Sequence, residues 1–216
     1  MTMPDTSSDL IAGLVQNLQP VRRLRRRVGL AAAGAAAITA TAFVVLVLGA
    51  RSDLAAGDPD PLFLVTSGLF AVLAMASTWA VLEMARPYVG NHRDGWIWAA
   101  AMAALLPASA LLTFVIGWMH AEMTRLDSDG WNCLSNGMGL GLLTATALTF
   151  WLRRGAPVSP DRAGLLTGIA AGSTGIFAIA LGCPHDDIAH IGVWHGGAVV
   201  ISAVIGRLVI PRLIKW

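Results

Sequence analysis

Apolar residues fill this chain in six blocks, at roughly 28–50, 62–84, 96–119, 131–151, 163–181 and 187–210. Each is close to the ~20 residues that carry a helix across a hydrocarbon core. The polar connections between them are short, which makes successive helices antiparallel neighbours. The pattern predicts an all-α, polytopic membrane bundle of six transmembrane helices over residues 28–216, without a repeat, a low-complexity linker or a second folded domain. Residues 1–27 are different. Leu10, Ile11, Leu14 and Leu18 recur on one helical face, Thr6 and Asp9 have capping-box spacing, and Pro20 ends the run. A helix of about ten residues is marginal alone in water, so this stripe needs a membrane surface or a protein to cover it. An anchor lying on lipid and a handle for a protein partner both satisfy that need.

Charge placement orients the bundle. Arg22, Arg23, Arg25, Arg26 and Arg27 precede the first block, and cytoplasmic flanks of membrane helices retain Lys and Arg. With the amino terminus inside, Arg86, Arg93, Arg153, Arg154, Arg162, Arg207, Arg212 and Lys215 also fall inside. Only Arg51 and Arg125 are left outside, among Asp53, Asp58, Asp60, Glu122, Asp127, Asp129, Asp186 and Asp187. Both termini are therefore expected on the cytoplasmic side of the membrane. The first block is too long for a signal-peptide core and lacks a small-x-small cleavage site, so it reads as a retained helix. Trp96, Trp98, Trp118, Trp131, Trp151 and Trp216 stand at predicted helix ends, where indoles anchor at the headgroups.

Composition agrees with repeated bilayer crossing: 56% of the 216 residues are hydrophobic, 13% are charged, and the mean hydropathy is +0.65. The net charge of +2 is mostly accounted for by helix flanks, which leaves no basic patch for direct contact with nucleic acid. Oligomeric state is not legible.

Candidate chemistry collects on the outer side. Cys133 opens the fourth helix and Cys183 closes the fifth. These helices share a short inner connection, so their outer ends could bring the thiols together, and an oxidising compartment would permit a disulfide. The alternative is that each cysteine is a small buried hydrophobe. His120, His185, His190, His195, Asp186 and Asp187 share that layer. Cys133, Cys183, His185, Asp186 and His190 are thus candidate ligands for a soft or borderline divalent metal, which would act as a signal rather than a resident cofactor. Spacing argues against a compact set: His190 and His195 are five apart, well off a common α-helical face, and His185 follows a proline. His195 lies deeper, where an ionisable group either has a function or is a neutral imidazole bonded to a neighbouring helix, with Asn132, Ser135 and Asn136 as possible partners. Gly137 with Gly141, Gly168 with Gly172 and Gly192 with Gly196 form Gly-x-x-x-Gly pairs that predict close packing of the last three helices.

Other functions lack their parts. No Ser/His/Asp set, phosphate loop or His-Glu-x-x-His motif occurs, so no enzymatic activity is expected. A quinone-linked thiol oxidoreductase would normally carry Cys-x-x-Cys or further redox thiols. A small metal exporter would need polar residues near the bilayer midplane.

The chain resembles the NrsF family, the negative regulators of sigma F, which are bacterial inner-membrane anti-sigma factors with six predicted helices. The resemblance is carried by Asp9-Leu10-Ile11 with Leu14, Leu18 and Pro20-Val21-Arg22-Arg23-Leu24. It continues through Trp131-Asn132-Cys133-Leu134, Cys183-Pro184 followed by Trp194-His195-Gly196, and Pro211-Arg212-Leu213-Ile214-Lys215-Trp216. It implies that the protein holds an extracytoplasmic-function sigma factor at the membrane and releases it under stress. It also implies sensing of oxidation or metal by Cys133 and Cys183, with His185 and His195 beside them. The sigma-binding element would then be the amino-terminal segment, with Asp9, Leu10, Ile11, Leu14, Leu18, Val21, Arg22 and Arg23 as its candidate contacts. One departure is visible: His185 stands between Cys183-Pro184 and the acidic pair Asp186-Asp187. As an imidazolium it would favour thiolate formation, and as a neutral ring it would favour a metal.

Overall fold

The helix Pro160–Ala180 carries glycine, alanine, serine and threonine on every face between its larger aliphatic residues. A helix apolar all round is a core helix, and small residues let neighbours approach its backbone. It is accordingly the central element of a computed structural model that describes residues 6–16, 24–86, 115 and 130–214. Of its most apolar window 89% is buried, against 17% for that of Arg26–Leu48.

In chain order the described helices are α1 (Thr6–Gln16), α2 (Arg26–Leu48), α3 (Ser52–Ala56), α4 (Pro61–Met84), α5 (Gly130–Arg153), α6 (Pro160–Ala180) and α7 (Ile188–Ile214). No strand occurs among the described residues. Five of these helices, α2 and α4 to α7, are long and apolar enough to cross a membrane. The predicted third helix at 96–119 falls outside the described residues except for Val115, which is helical.

Helix starts follow local chemistry. The Asp60 side chain accepts from the amides of Leu62 and Phe63, with Pro61 in the first turn of α4, and Asp187 accepts from His190 N at the start of α7. Both satisfy amides that a helix cannot pair internally. Pro160 occupies the first position of α6, where its missing N–H costs nothing. The expected boundaries shift by up to four residues. Thr6 is already helical, so the capping-box reading of Thr6 and Asp9 does not hold. Helix α5 starts before Trp131, at Gly130. Helix α7 runs past Ile210 and through Pro211 to Ile214, because a proline in a last turn forfeits little. Trp151 also departs from its anchor reading: it is buried against Gly29 and Leu82.

Packing is set by backbone proximity. A β-carbon on Gly141 would lie 2.5 Å from Ala171 O, and one on Gly164 would lie 2.5 Å from Gly206 O. Gly175 meets the Gly137 carbonyl and Gly168 meets the Ser202 carbonyl still more closely. The predicted close packing of the last three helices is present at Gly137, Gly141, Gly168 and Gly172, with Gly164, Gly175 and Gly206 added. Two buried hydroxyls that would be costly in an apolar core bond within their own helix, Thr167 to Ala163 O and Thr174 to Ala170 O.

The ends of the bundle are chemically distinct. At one end Arg26 pairs with Glu83 and lies over the Trp79 ring, and Ala156 N donates to Ala85 O. At the other, Arg51 N donates to Leu181 O, which ties the segment after α2 to the segment after α6. Cys133, Cys183 and the acidic connections gather at this second end.

Candidate functional site

Three elements meet at the centre of this site. Cys133 sits in the first turn of α5, Cys183 in the connection after α6, and His190 and His195 at the start of α7. The two sulfurs are 3.3 Å apart, with the Cys133 S–H directed at Cys183. His190 Nε2 lies 3.5 Å from Cys183 Sγ. One potential ligand atom from each of Cys133, Cys183, His190 and His195 falls within 4.8 Å of all the others. No disulfide joins the two cysteines, which are 9% and 3% exposed respectively.

The approach of His190 and His195 overturns the expectation from their spacing. Ile191–Gly196 forms a π turn, in which bonds run from i to i+5 and residues five apart return to one face. The two rings are consequently 5.2 Å apart, edge to face at 80°. His195 is 3% exposed and sets its ring edge toward Phe70 of α4 at 6.3 Å. Its Nε2 is buried and has no hydrogen-bond partner among the described residues. The suggested partners are otherwise placed: the Ser135 hydroxyl donates to Trp131 O, and Asn132 and Asn136 are exposed.

His185 stacks on His190, with ring centroids 4.7 Å apart, and joins His190 and Asp187 in a second, more exposed group. Asp186 is not in the thiol group. Both its oxygens accept from Arg51, at 2.6 and 2.7 Å. The acidic residue thought available to a metal is thus occupied by a cation.

Arg51 was visible in the sequence only as one of two bases, with Arg125, in an acidic layer. Its side chain is almost completely buried. It holds Asp53 through two further bonds of 2.9 Å, donates to the Cys183 carbonyl at 2.9 Å, and lies over the Phe63 ring. The guanidinium hydrogen bonds hold Asp53 far below the usual carboxylate range. Those to Asp186 and Asp53 raise Arg51 itself. The Cys183 thiol is also held well below its ordinary range, first by the hydrogen bond from Cys133, with burial opposing and the imidazoles of His190 and His195 assisting. A pair so placed has one sulfur favoured as thiolate and the other next to it, which is the arrangement thiol oxidation needs.

The amino-terminal candidates are only partly described. Asp9, Ile11 and Leu14 lie exposed on α1, and Val15 joins them; Ile11, Leu14 and Val15 are 60%, 63% and 59% exposed. Leu10 is helical. Leu18, Val21, Arg22 and Arg23 lie outside the described residues.

Comparison with known proteins gives a consistent result. Residues 14–216 match the family model described as negative regulator of sigma F, NrsF. A probable anti-sigma-F factor NrsF of Azospira oryzae is 29% identical over 95% of this chain and 94% of its own length. The anti-sigma-F factor NrsF of Caulobacter vibrioides is 30% identical over 91% and 90%. The carotenogenesis protein CarR of Myxococcus xanthus is 29% identical over 91% and 81%. No solved structure matches.

Proposed function

Because this chain belongs to the NrsF family of negative regulators of sigma F, we propose that it is an anti-sigma factor of the bacterial inner membrane whose amino-terminal segment holds an extracytoplasmic-function sigma factor. Residues 1–27 form the cytoplasmic handle and residues 28–216 the membrane domain of six helices, with both termini inside. The observation that carries the reading is the apolar face of Ile11, Leu14 and Val15, exposed on α1 ahead of the basic cluster. Such a face on a short helix is stable only when covered.

Release is driven from the opposite end. Cys133 and Cys183 are within reach of each other, and a disulfide requires the sulfurs to close to about 2.05 Å. Hydrogen peroxide supplies the chemistry: the two thiols give up two protons and two electrons, the S–S bond forms, and the peroxide leaves as two waters. The bridge pulls the start of α5 against the connection between α6 and α7. Arg51, bonded to the Cys183 carbonyl and to Asp186, carries that change to the outer end of α2, and α2 runs to Arg26 beside the handle. A shift from mostly bound to mostly free needs the two packings to differ by ~5 kcal/mol in sigma affinity. A quinone-linked oxidoreductase would normally carry Cys-x-x-Cys or further redox thiols, and this chain has one separated pair.

The test is co-purification of the sigma factor with the full-length, detergent-solubilised protein. Ile11→Asp and Leu14→Asp should reduce recovery at least tenfold while helicity is unchanged. Undiminished recovery would place the interface elsewhere.

A further inference from the structure

The geometry points to a four-coordinate site for a divalent, zinc-class cation, built from Cys133, Cys183, His190 and His195. A tetrahedral site with Zn–S near 2.3 Å and Zn–N near 2.0–2.1 Å has ligand-to-ligand edges of roughly 3.3–3.8 Å. The sulfurs are already 3.3 Å apart and His190 Nε2 is 3.5 Å from Cys183 Sγ. No pair in the group exceeds 4.8 Å, so the remaining edges need to close by about 1.5 Å at most.

Charge selects the ion. Two thiolates neutralise a divalent cation and two neutral imidazoles add nothing, so the loaded centre carries no net charge. That matters at a position where all four side chains are at most 9% exposed, because an uncompensated charge there pays a large desolvation penalty. A monovalent soft cation would leave the centre negative. Binding a divalent ion expels the two thiol protons to solvent.

His195 supplies a further indication. Its imidazole is buried within 4.8 Å of the thiols, where its Nε2 makes no hydrogen bond of ordinary geometry. The π turn that aligns it with His190 replaces the ordinary α-helical pattern over Ile191–Gly196, and such turns recur at functional sites. The competing group of His185, Asp187 and His190 shares His190 with this one, and its Asp187 oxygen already caps α7. Thiolates also suit a borderline cation better than a carboxylate does.

This inference rests on the reading of Cys133 and Cys183 as a reduced pair, but its test needs no sigma factor. Cobalt(II) is titrated into the full-length protein in detergent, after chelation and under a phosphine reductant. One cobalt per chain is expected, with a thiolate-to-cobalt charge-transfer band and the intense d–d bands of tetrahedral coordination, both removed by zinc(II). Cys133→Ser and Cys183→Ser should weaken the charge-transfer band. His190→Gln and His195→Gln should each lower affinity at least about tenfold and shift the d–d bands, while His185→Gln leaves them in place. Two results overturn the site: no thiolate-to-cobalt band in wild-type protein of normal helicity and monodispersity, or His190→Gln and His195→Gln binding cobalt as the wild type does. If peroxide bridged the thiols and freed sigma in a chain that bound no cobalt, the metal site would fall and the thiol switch would stand. Stoichiometric cobalt in a chain whose sigma release ignores peroxide supports the site and removes the switch.

Discussion

Arg51 ties together several elements at the end of the bundle that holds the cysteines. Its guanidinium reaches Asp53, Asp186 and the Cys183 carbonyl, so the connections after α2 and after α6 are held by one cation. Replacing it by methionine should lower stability by about 1–2 kcal/mol, toward the low end for charged hydrogen bonds because both aspartates keep contact with water. The loss has a pH signature. Asp53 has a depressed folded pKa, so its contribution is complete above the unfolded-chain value of about 3.9. It shrinks as the pH falls below that value and vanishes only beneath the depressed folded pKa. Thermal unfolding of wild type and Arg51→Met should therefore differ equally at pH 7 and pH 5, and by less in stronger acid, where the bond to the Cys183 carbonyl remains. The sequence showed the charges but not their pairing, since Arg51 and Asp186 are 135 residues apart.

Among the elements, α6 depends most on the absence of side chains. Its Gly175 faces the Gly137 carbonyl and lies 2.7 Å, by its added β-carbon, from Gly141 N. Gly175→Val should cost about 1–3 kcal/mol or abolish folding, because backbone on the other side has no rotamer to yield. Gly139→Val is the matched control on α5: nothing lies within 4 Å of its β-carbon, and its effect should stay within about 0.5 kcal/mol. Melting in one detergent distinguishes the pair. The Gly-x-x-x-Gly reading anticipated such crossings at Gly137, Gly141, Gly168 and Gly172. Gly175 escaped it because its partner glycine is on α5, and sequence spacing reports only neighbours on one helix.

For the whole molecule, the two chemically distinct ends make the orientation testable. Ser52 is exposed in the end that holds the cysteines, and Val158 is 70% exposed in the connection between α5 and α6 at the other. In a Cys133→Ser, Cys183→Ser background, Ser52→Cys should react with a membrane-impermeant thiol reagent on intact cells, and Val158→Cys only after permeabilisation. The reverse pattern would invert the proposed topology and move the handle to the outside.

By itself the sequence determined that the chain is helical and apolar enough to cross a bilayer repeatedly, that its first helix carries an apolar stripe, and that its cysteines belong to adjacent helix ends. These follow from composition, periodicity and connection length, which are local properties of a chain. Tertiary structure alone decided that Asp186 serves Arg51, that Trp151 is core, and that His195 joins His190 and the thiols. The last depends on a π turn: ideal 3.6-residue periodicity separates residues five apart, and packing of α7 against its neighbours sets a different local winding. The residues that predict a site can be read along a line, whereas the angle at which they face one another is fixed only when the helices pack.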